Sequence, residues 1–256
     1  MFFKKAADNG GFLFARLFLN YRSHDGSKCL FEKRVLLFLL LIFLQTGSFA
    51  DGLPATLKIS QWDARSGLSL NASTTIVSDK YGHIWVGTQD GLNRINGYDV
   101  EQFGTSLQNQ NGLAQTNITA LATDINDTLW VGTPDGIYVK SIEQSQFSLL
   151  SDFNNAISRQ INHIYSSNSL VLAGSNRGLL LYSVAEQGIT FTGEFFSEQN
   201  ITSIVKLKDG SYVLGTNDHE LLFLNEELLL VSTLDLPIEH QFSRIYTLLE
   251  VSSNLI

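Results

Sequence analysis

Four copies of one five-residue block decide the fold: Ile84-Trp85-Val86-Gly87-Thr88, Leu129-Trp130-Val131-Gly132-Thr133, Val171-Leu172-Ala173-Gly174-Ser175 and Tyr212-Val213-Leu214-Gly215-Thr216. Their central glycines lie 45, 42 and 41 residues apart. A second glycine follows four residues after the first at Gly91, Gly136 and Gly178, and an apolar pair or triplet such as Leu179-Leu180-Leu181 comes next. Eight residues ahead of each block's first residue stand Ile76, Leu121 and Ile204, with Ile164 and Leu248 one residue nearer because their turns are shorter. By this alignment Leu255-Ile256 open a fifth block, so the chain stops inside a predicted strand. A fixed period of about 40 residues is the mark of stacked supersecondary units.

Each unit reads as a small antiparallel meander. Runs of β-branched and aromatic residues alternate with Asp-Gly, Asn-Asp and Lys-Asp-Gly turns, and no stretch after residue 50 has helical periodicity. In the second unit the pattern predicts strands near Ile118 to Thr123, Leu129 to Gly132, Ile137 to Ser141 and Phe147 to Leu150. That spacing belongs to a propeller blade. The expected fold is an all-β β-propeller of four four-stranded blades, near 67–103, 112–150, 157–196 and 200–233, plus the start of a fifth at 242–256. The ring is incomplete in this chain, and blades bury their faces only against neighbours. Residues 51–256 alone are therefore expected to be weakly stable or to associate, for want of the missing remainder of the propeller.

The repeated columns have structural readings. Gly87, Gly132, Gly174 and Gly215 permit close approach of a neighbouring backbone, and Gly91, Gly136 and Gly178 supply positive φ in tight turns. His219 takes that turn position in the fourth unit, so either the turn adapts or its geometry differs. Trp85 and Trp130, replaced by Leu172 and Val213 later, read as wedges between adjacent blades.

Ahead of the repeats, Lys33-Arg34, the apolar run Val35 to Leu44 and Gln45-Thr46-Gly47-Ser48-Phe49-Ala50 have the order of a secretory signal cleaved between Ala50 and Asp51. The run is too short to serve as a membrane anchor, which needs about 20 apolar residues. Residues 31–50 are thus the signal peptide, and 1–30 form an extension that precedes a translation start expected near Leu30. The one cysteine, Cys29, precedes the signal, so the mature protein has no disulfide, thiolate metal site or lipid-bearing cysteine. From Asp51 onward ten Lys or Arg stand against 22 Asp or Glu, a balance of −12, which argues against nucleic acid as a partner.

The first unit resembles a known family. Asp63-Ala64-Arg65-Ser66-Gly67-Leu68-Ser69, then Gly82-His83-Ile84-Trp85-Val86-Gly87-Thr88, then Gly91-Leu92-Asn93-Arg94 look like the opening of the two-component regulator propellers found in bacterial hybrid histidine kinases and some diguanylate cyclases. The second unit is similar through Gly136-Ile137-Tyr138, and the likeness fades where Trp is lost. The resemblance implies a periplasmic propeller that senses a small-molecule or sugar ligand. It also implies a full-length protein anchored in the inner membrane, with a homodimer among its expected states. The kinase or cyclase output cannot be read in these residues, so no enzymatic activity is carried over.

The chemistry offered by the residues themselves is sparse. His83, His163, His219 and His240 are isolated rather than set at metal-ligand spacing, and surface or turn positions are expected for them. Asp79, Asp124, Asp90 and Asp135 recur beside turns, where Asp is a turn former before it is a calcium ligand. No catalytic, cofactor-binding or metal residue is assigned, and the ligand-binding residues stay open. An exported propeller lyase or hydrolase, a non-catalytic interaction scaffold and a broken gene fragment are the alternatives to a sensor.

Overall fold

The computed structural model describes residues 60–104, 112–141, 143–150, 159–236 and 245–250. The leader with Ala50 and Asp51, together with Cys29, His240 and Leu255-Ile256, lies outside them. Among the described residues sixteen strands form four antiparallel sheets of four strands each. Blade 1 contains β1 (Ser73–Ser78), β2 (Ile84–Thr88), β3 (Gly91–Ile95) and β4 (Val100–Phe103). Blade 2 contains β5 (Ala120–Thr123), β6 (Leu129–Thr133), β7 (Gly136–Lys140) and β8 (Ser148–Leu149). Blade 3 contains β9 (Ile161–Ser167), β10 (Leu170–Ser175), β11 (Gly178–Ala185) and β12 (Gly188–Phe195). Blade 4 contains β13 (Ile201–Lys206), β14 (Tyr212–Thr216), β15 (Glu220–Leu224) and β16 (Leu230–Asp235). Strands within each sheet are neighbours in chain order, and the first strands β1, β5, β9 and β13 touch in succession. This is a β-propeller arrangement, with the first strand of each blade innermost.

The blades are held by three apolar layers, one per interface. Trp85, Leu92 and Phe103 of blade 1 pack on Leu121, Leu129, Val131 and Tyr138 of blade 2. Trp130 and Val139 meet Ile164, Val171 and Tyr182 of blade 3. Leu172 and Leu179 meet Ile204, Leu214 and Leu222 of blade 4. Trp130 is fully buried and meets Tyr182 edge-on, ring centroids 5.3 Å apart. Burying such a ring is worth roughly 4–6 kcal/mol of transfer free energy at about 25 cal/mol per Å2, as an upper bound. The Trp column therefore sits between blades, and Leu172 holds the same place at the third interface.

A knob-and-hole contact repeats beside each layer. A Cβ on Gly87 would fall 2.7 Å from Ile118 Cγ2; on Gly132, 2.8 Å from Ile161 Cγ2; on Gly174, 2.8 Å from Ile201 Cγ2; on Gly215, 2.7 Å from Ile245 Cγ2. Each glycine is thus the hole for an isoleucine of the following unit. Ile245 seats the first described residues of the fifth unit on blade 4. Ile118 also explains why β5 begins two residues later than predicted: its N–H donates to Thr88 O of blade 1, at 2.9 Å, so it serves the neighbouring blade.

The hydroxyl that ends each block latches the following hairpin. Thr88 Oγ1 donates to Gly91 O and accepts from Asp90 N–H, both at 3.0 Å. Thr133 with Gly136 and Ser175 with Gly178 repeat the bond at 3.0 and 2.9 Å. In blade 4 the loop is one residue longer, since Gly215 pairs with Leu221 where Gly87 pairs with Leu92. His219 there adopts φ of 68°, and Thr216 Oγ1 accepts from the N–H groups of Asp218 and Glu220. Both alternatives for this turn hold at once: the backbone is left-handed and the geometry differs.

Candidate functional site

The inner strands surround a concavity of about 570 Å3 on the axis of the blades. Its wall is a second repeated column, Thr119, Asn162, Thr202 and Tyr246 one residue after each isoleucine knob and Thr74 after the equivalent Ser73. Thr74 Oγ1 donates to Ile118 O at 2.6 Å, Thr119 Oγ1 donates to Ile161 O at 2.5 Å, and Asn162 Nδ2 donates to Ile201 O at 2.9 Å. Each bond ties one blade to the next and holds the side chain in a fixed position at the axis. Gln89, Asn117 and Gln160 add amides at the rim. None of the lining residues among those described is Asp, Glu, Lys or Arg.

His163 is the one titratable imidazole in this wall. It lies on β9 opposite Gly174, half-buried, and its Nδ1 is enclosed without a hydrogen-bond partner. Burial pushes its pKa below the ordinary 6.5, which keeps the ring neutral near pH 7. This corrects the expectation of a surface or turn position for His163. His83 and His219 do occupy turns. The column that contains His163 reads Thr75, Ala120, His163, Ser203 and Thr247, so the imidazole occurs once rather than blade after blade.

A second hollow, about 280 Å3, lies between blades 1 and 2 and is lined by Asp79, His83, Trp85, Arg94, Asp127 and Lys140 among others. Here the recurrent aspartates show what they do. Asp79 Oδ1 accepts from the N–H groups of Tyr81 and His83, while Oδ2 accepts from Trp85 Nε1 at 3.0 Å and contacts His83 Nδ1 at 2.8 Å. Asp124 repeats the clasp on Asn126, Thr128 and Trp130 Nε1, the last at 2.8 Å. Burial works to raise the Asp79 pKa, but the bonds from Trp85 and His83 and the His83 charge outweigh it and hold the carboxyl below its usual value. Burial and the Arg94 charge lower the Lys140 pKa, against the Glu101 carboxylate. Where Trp gives way to Val213, Leu207 replaces the aspartate, although its backbone closes the same turn through Leu207 N–H to Ser211 O at 2.8 Å. The carboxylate is needed for the indole, and the turn survives without it.

The opening motif has an equally local cause. Ser69 N–H donates to Asn93 Oδ1 at 2.8 Å, Asn93 Nδ2 donates to Ser69 Oγ at 2.9 Å, and Ser69 Oγ meets Thr88 Oγ1 at 2.8 Å. Trp62 and Leu68 cover Val86 and Ile95 on the same side of blade 1. Arg94, next to the buried Asn93, stacks its guanidinium 5.5 Å from the Trp85 ring. Gly-Leu-Ser and Gly-Leu-Asn-Arg are thus two halves of one contact.

Among the described residues no cluster of three or more His, Cys, Asp or Glu is gathered to hold a metal, and no helix is long and apolar enough to cross a membrane. Sequence reasoning missed the isoleucine knobs and the polar axial column. The signal was present as a fixed offset from Leu121, Ile164 and Ile204, but unit 1 breaks it with Ser73.

These features define a repeat-built all-β propeller whose inner strands line an axial concavity without Asp, Glu, Lys or Arg among the described residues. Residues 67–90 and 112–135 match the family model of the two component regulator propeller, and they are the two Trp-bearing units of this chain. The chain therefore carries repeats of the two component regulator propeller family. No curated protein matches it significantly.

Among solved structures, the extracellular domain of a hybrid two component system from B. thetaiotaomicron is 20% identical with a TM-score of 0.58, over 71% of this chain and 27% of that one. The extracellular domain of a one component system from the same organism is 18% identical with a TM-score of 0.53, over 63% and 22%. A catalytically inactive virginiamycin B lyase from Staphylococcus aureus, solved with quinupristin, is 11% identical with a TM-score of 0.52, over 72% and 62%. The chain spans about a quarter of the first two structures. At these identities the likeness is one of fold.

Proposed function

We propose that this chain is the ligand-sensing propeller of a bacterial signal-transduction protein, exported to the periplasm and coupled to a kinase or cyclase output outside these 256 residues. The observation that carries the reading is the axial concavity, built jointly by the inner strands of all four blades and by Tyr246 and Thr247 of the fifth unit. A ligand there touches every blade at once, so its binding energy can alter how the blades sit together. The likeness of the repeats to regulator propellers, and the extracellular domains among the structural neighbours, support the same reading.

A lyase or hydrolase is the second reading, and His163 in the concavity is what favours it. The wall holds threonine hydroxyls, but among the described residues it supplies no carboxylate to orient the ring. Calorimetric titration of the full chain with neutral sugars and small metabolites, with product analysis of each mixture, separates the readings. Saturable binding without turnover supports sensing, turnover supports an enzyme, and neither leaves a scaffold. Export has its own test: amino-terminal sequencing of the protein from a periplasmic extract is expected to begin at Asp51. A mature protein that retains residues before Ala50 would contradict the leader.

A further inference from the structure

The axial wall is selective by what it lacks. The chain carries a formal charge of −8, yet the described residues around the concavity present hydroxyls, amides, one imidazole and short apolar side chains. A charged solute entering such a site gives up hydration and meets no opposite charge among the described lining residues, a costly exchange. A neutral solute rich in hydroxyl or amide groups loses far less. It can recover its bonds from Gln89, Asn117 and Gln160, whose side chains both donate and accept. The volume of about 570 Å3 lies within the range of small-molecule sites.

His163 supplies the polar anchor. Its Nδ1 is enclosed and unbonded within the protein, a condition that buried polar atoms rarely tolerate unless something else satisfies them. The ring lines the concavity, so a ligand seated there lies against it. Lowering of its pKa by burial keeps it uncharged, so it neither attracts an anion nor repels a cation.

We infer that the axial concavity is a binding site for an uncharged, hydrogen-bonding small molecule, anchored by His163 between Asn162 and Ile164 of blade 3 and by the rim amides Gln89, in the β2–β3 turn of blade 1, and Asn117, in the lead-in to blade 2. This rests on the sensing reading and narrows it: the site rejects charged ligands even where their size and shape are right. It also separates the axial site from the hollow at Arg94 and Lys140, where cations and carboxylates line the wall.

The test uses the full chain and matched probes that share a skeleton and differ in charge: N-acetylglucosamine, glucosamine and glucuronate, then a neutral disaccharide and polyol panel with the charged counterpart of each. Affinities are measured by calorimetry at constant ionic strength. Neutral probes are expected to bind at least about tenfold more tightly than their charged counterparts, as loss of a buried ion's hydration requires. His163→Gln is expected to weaken the neutral probe by about tenfold while leaving the unfolding midpoint near that of the parent. Gln89→Glu and Asn117→Asp, which add charge at nearly constant shape on the rim, are expected to narrow or reverse the preference against glucosamine. Charged probes that bind as tightly as neutral ones, with the affinity responsive to the same three substitutions, would overturn the selectivity while leaving sensing in place. Binding of neutral probes that ignores all three substitutions would overturn the location. Absence of binding by every probe would count against the sensing reading on which the inference rests.

Discussion

Substituting Gly132 by alanine tests the knob-and-hole packing where the structure specifies it most fully. Gly132 lies in β6 without a positive φ, so an L side chain meets no backbone penalty there. In open space the change would stabilise by about 0.4–1 kcal/mol by narrowing the unfolded ensemble. Space is what the site lacks. The new Cβ would stand 2.8 Å from Ile161 Cγ2, 3.0 Å from Ala120 Cβ and 3.1 Å from Ile161 Cβ. Ile161 is itself fully buried in the layer shared by blades 2 and 3, so it has no room to retreat. Overpacking of this kind costs about 1–3 kcal/mol, which exceeds the entropic gain and sets the sign as destabilising. Ile161→Ala alone removes the clashing methyl and costs about 2–5 kcal/mol as a cavity. In the double variant the added methyl occupies part of that cavity, and the two costs should not add. The expected coupling is about 1 kcal/mol or more in favour of the double variant. Urea unfolding followed by tryptophan fluorescence measures all four proteins, because Trp130 lies in the same layer. Additivity within about 0.5 kcal/mol would refute the contact between Gly132 and Ile161 as the reason for glycine.

Other expectations follow from the same geometry. Asp124→Ala leaves the buried Trp130 indole N–H without its acceptor and is expected to cost about 2–3 kcal/mol, measured by urea unfolding, with Asp124→Asn intermediate. Gly178→Ala places a Cβ 2.5 Å from Phe195 O at φ of 92° and is expected to cost about 3 kcal/mol or more, whereas His219→Gly in the longer blade 4 turn should change stability by under about 1 kcal/mol. His163 has its folded pKa depressed, so its contribution is present above the unfolded value of 6.5 and is lost as pH falls through the folded value. Thermal midpoints should therefore drop on acidification below pH 6.5, and the His163→Gln variant should lose that step. Asp79 is also depressed, so its contribution holds above 3.8 and disappears at more acidic pH, a lower window that Asp79→Asn should abolish.

Much of the fold was legible because each blade repeats one pattern under one set of constraints. Gly87 and its equivalents must be small, and the paired indoles must be apolar with a polar tip, so both columns show in the sequence at a steady period. The predicted strands of blade 2 fall within two residues of β5 to β8 for the same reason. The isoleucine knobs were harder to find, since Ser73 breaks the column in blade 1 and their partners are glycines that lie in other units. The extra residue in the blade 4 turn was legible only as a missing glycine at His219. That His supports φ of 68° there depends on the longer loop, which is a matter of register. The axial wall was least legible. Thr74, Thr119 and Thr202 are alike but Asn162 and Tyr246 interrupt the column, and only the stacking of the blades brings the five around one axis.

The role of the concavity can be tested in a single titration. With histidine-labelled full chain, NMR spectra follow the His163 ring and the ligand signals together as a neutral sugar or polyol from the binding panel is added. The expected result is a saturable shift of the His163 resonance while the ligand spectrum stays that of the unaltered compound. New product signals would contradict sensing in favour of catalysis, and saturable binding that leaves His163 unmoved would contradict the axial site.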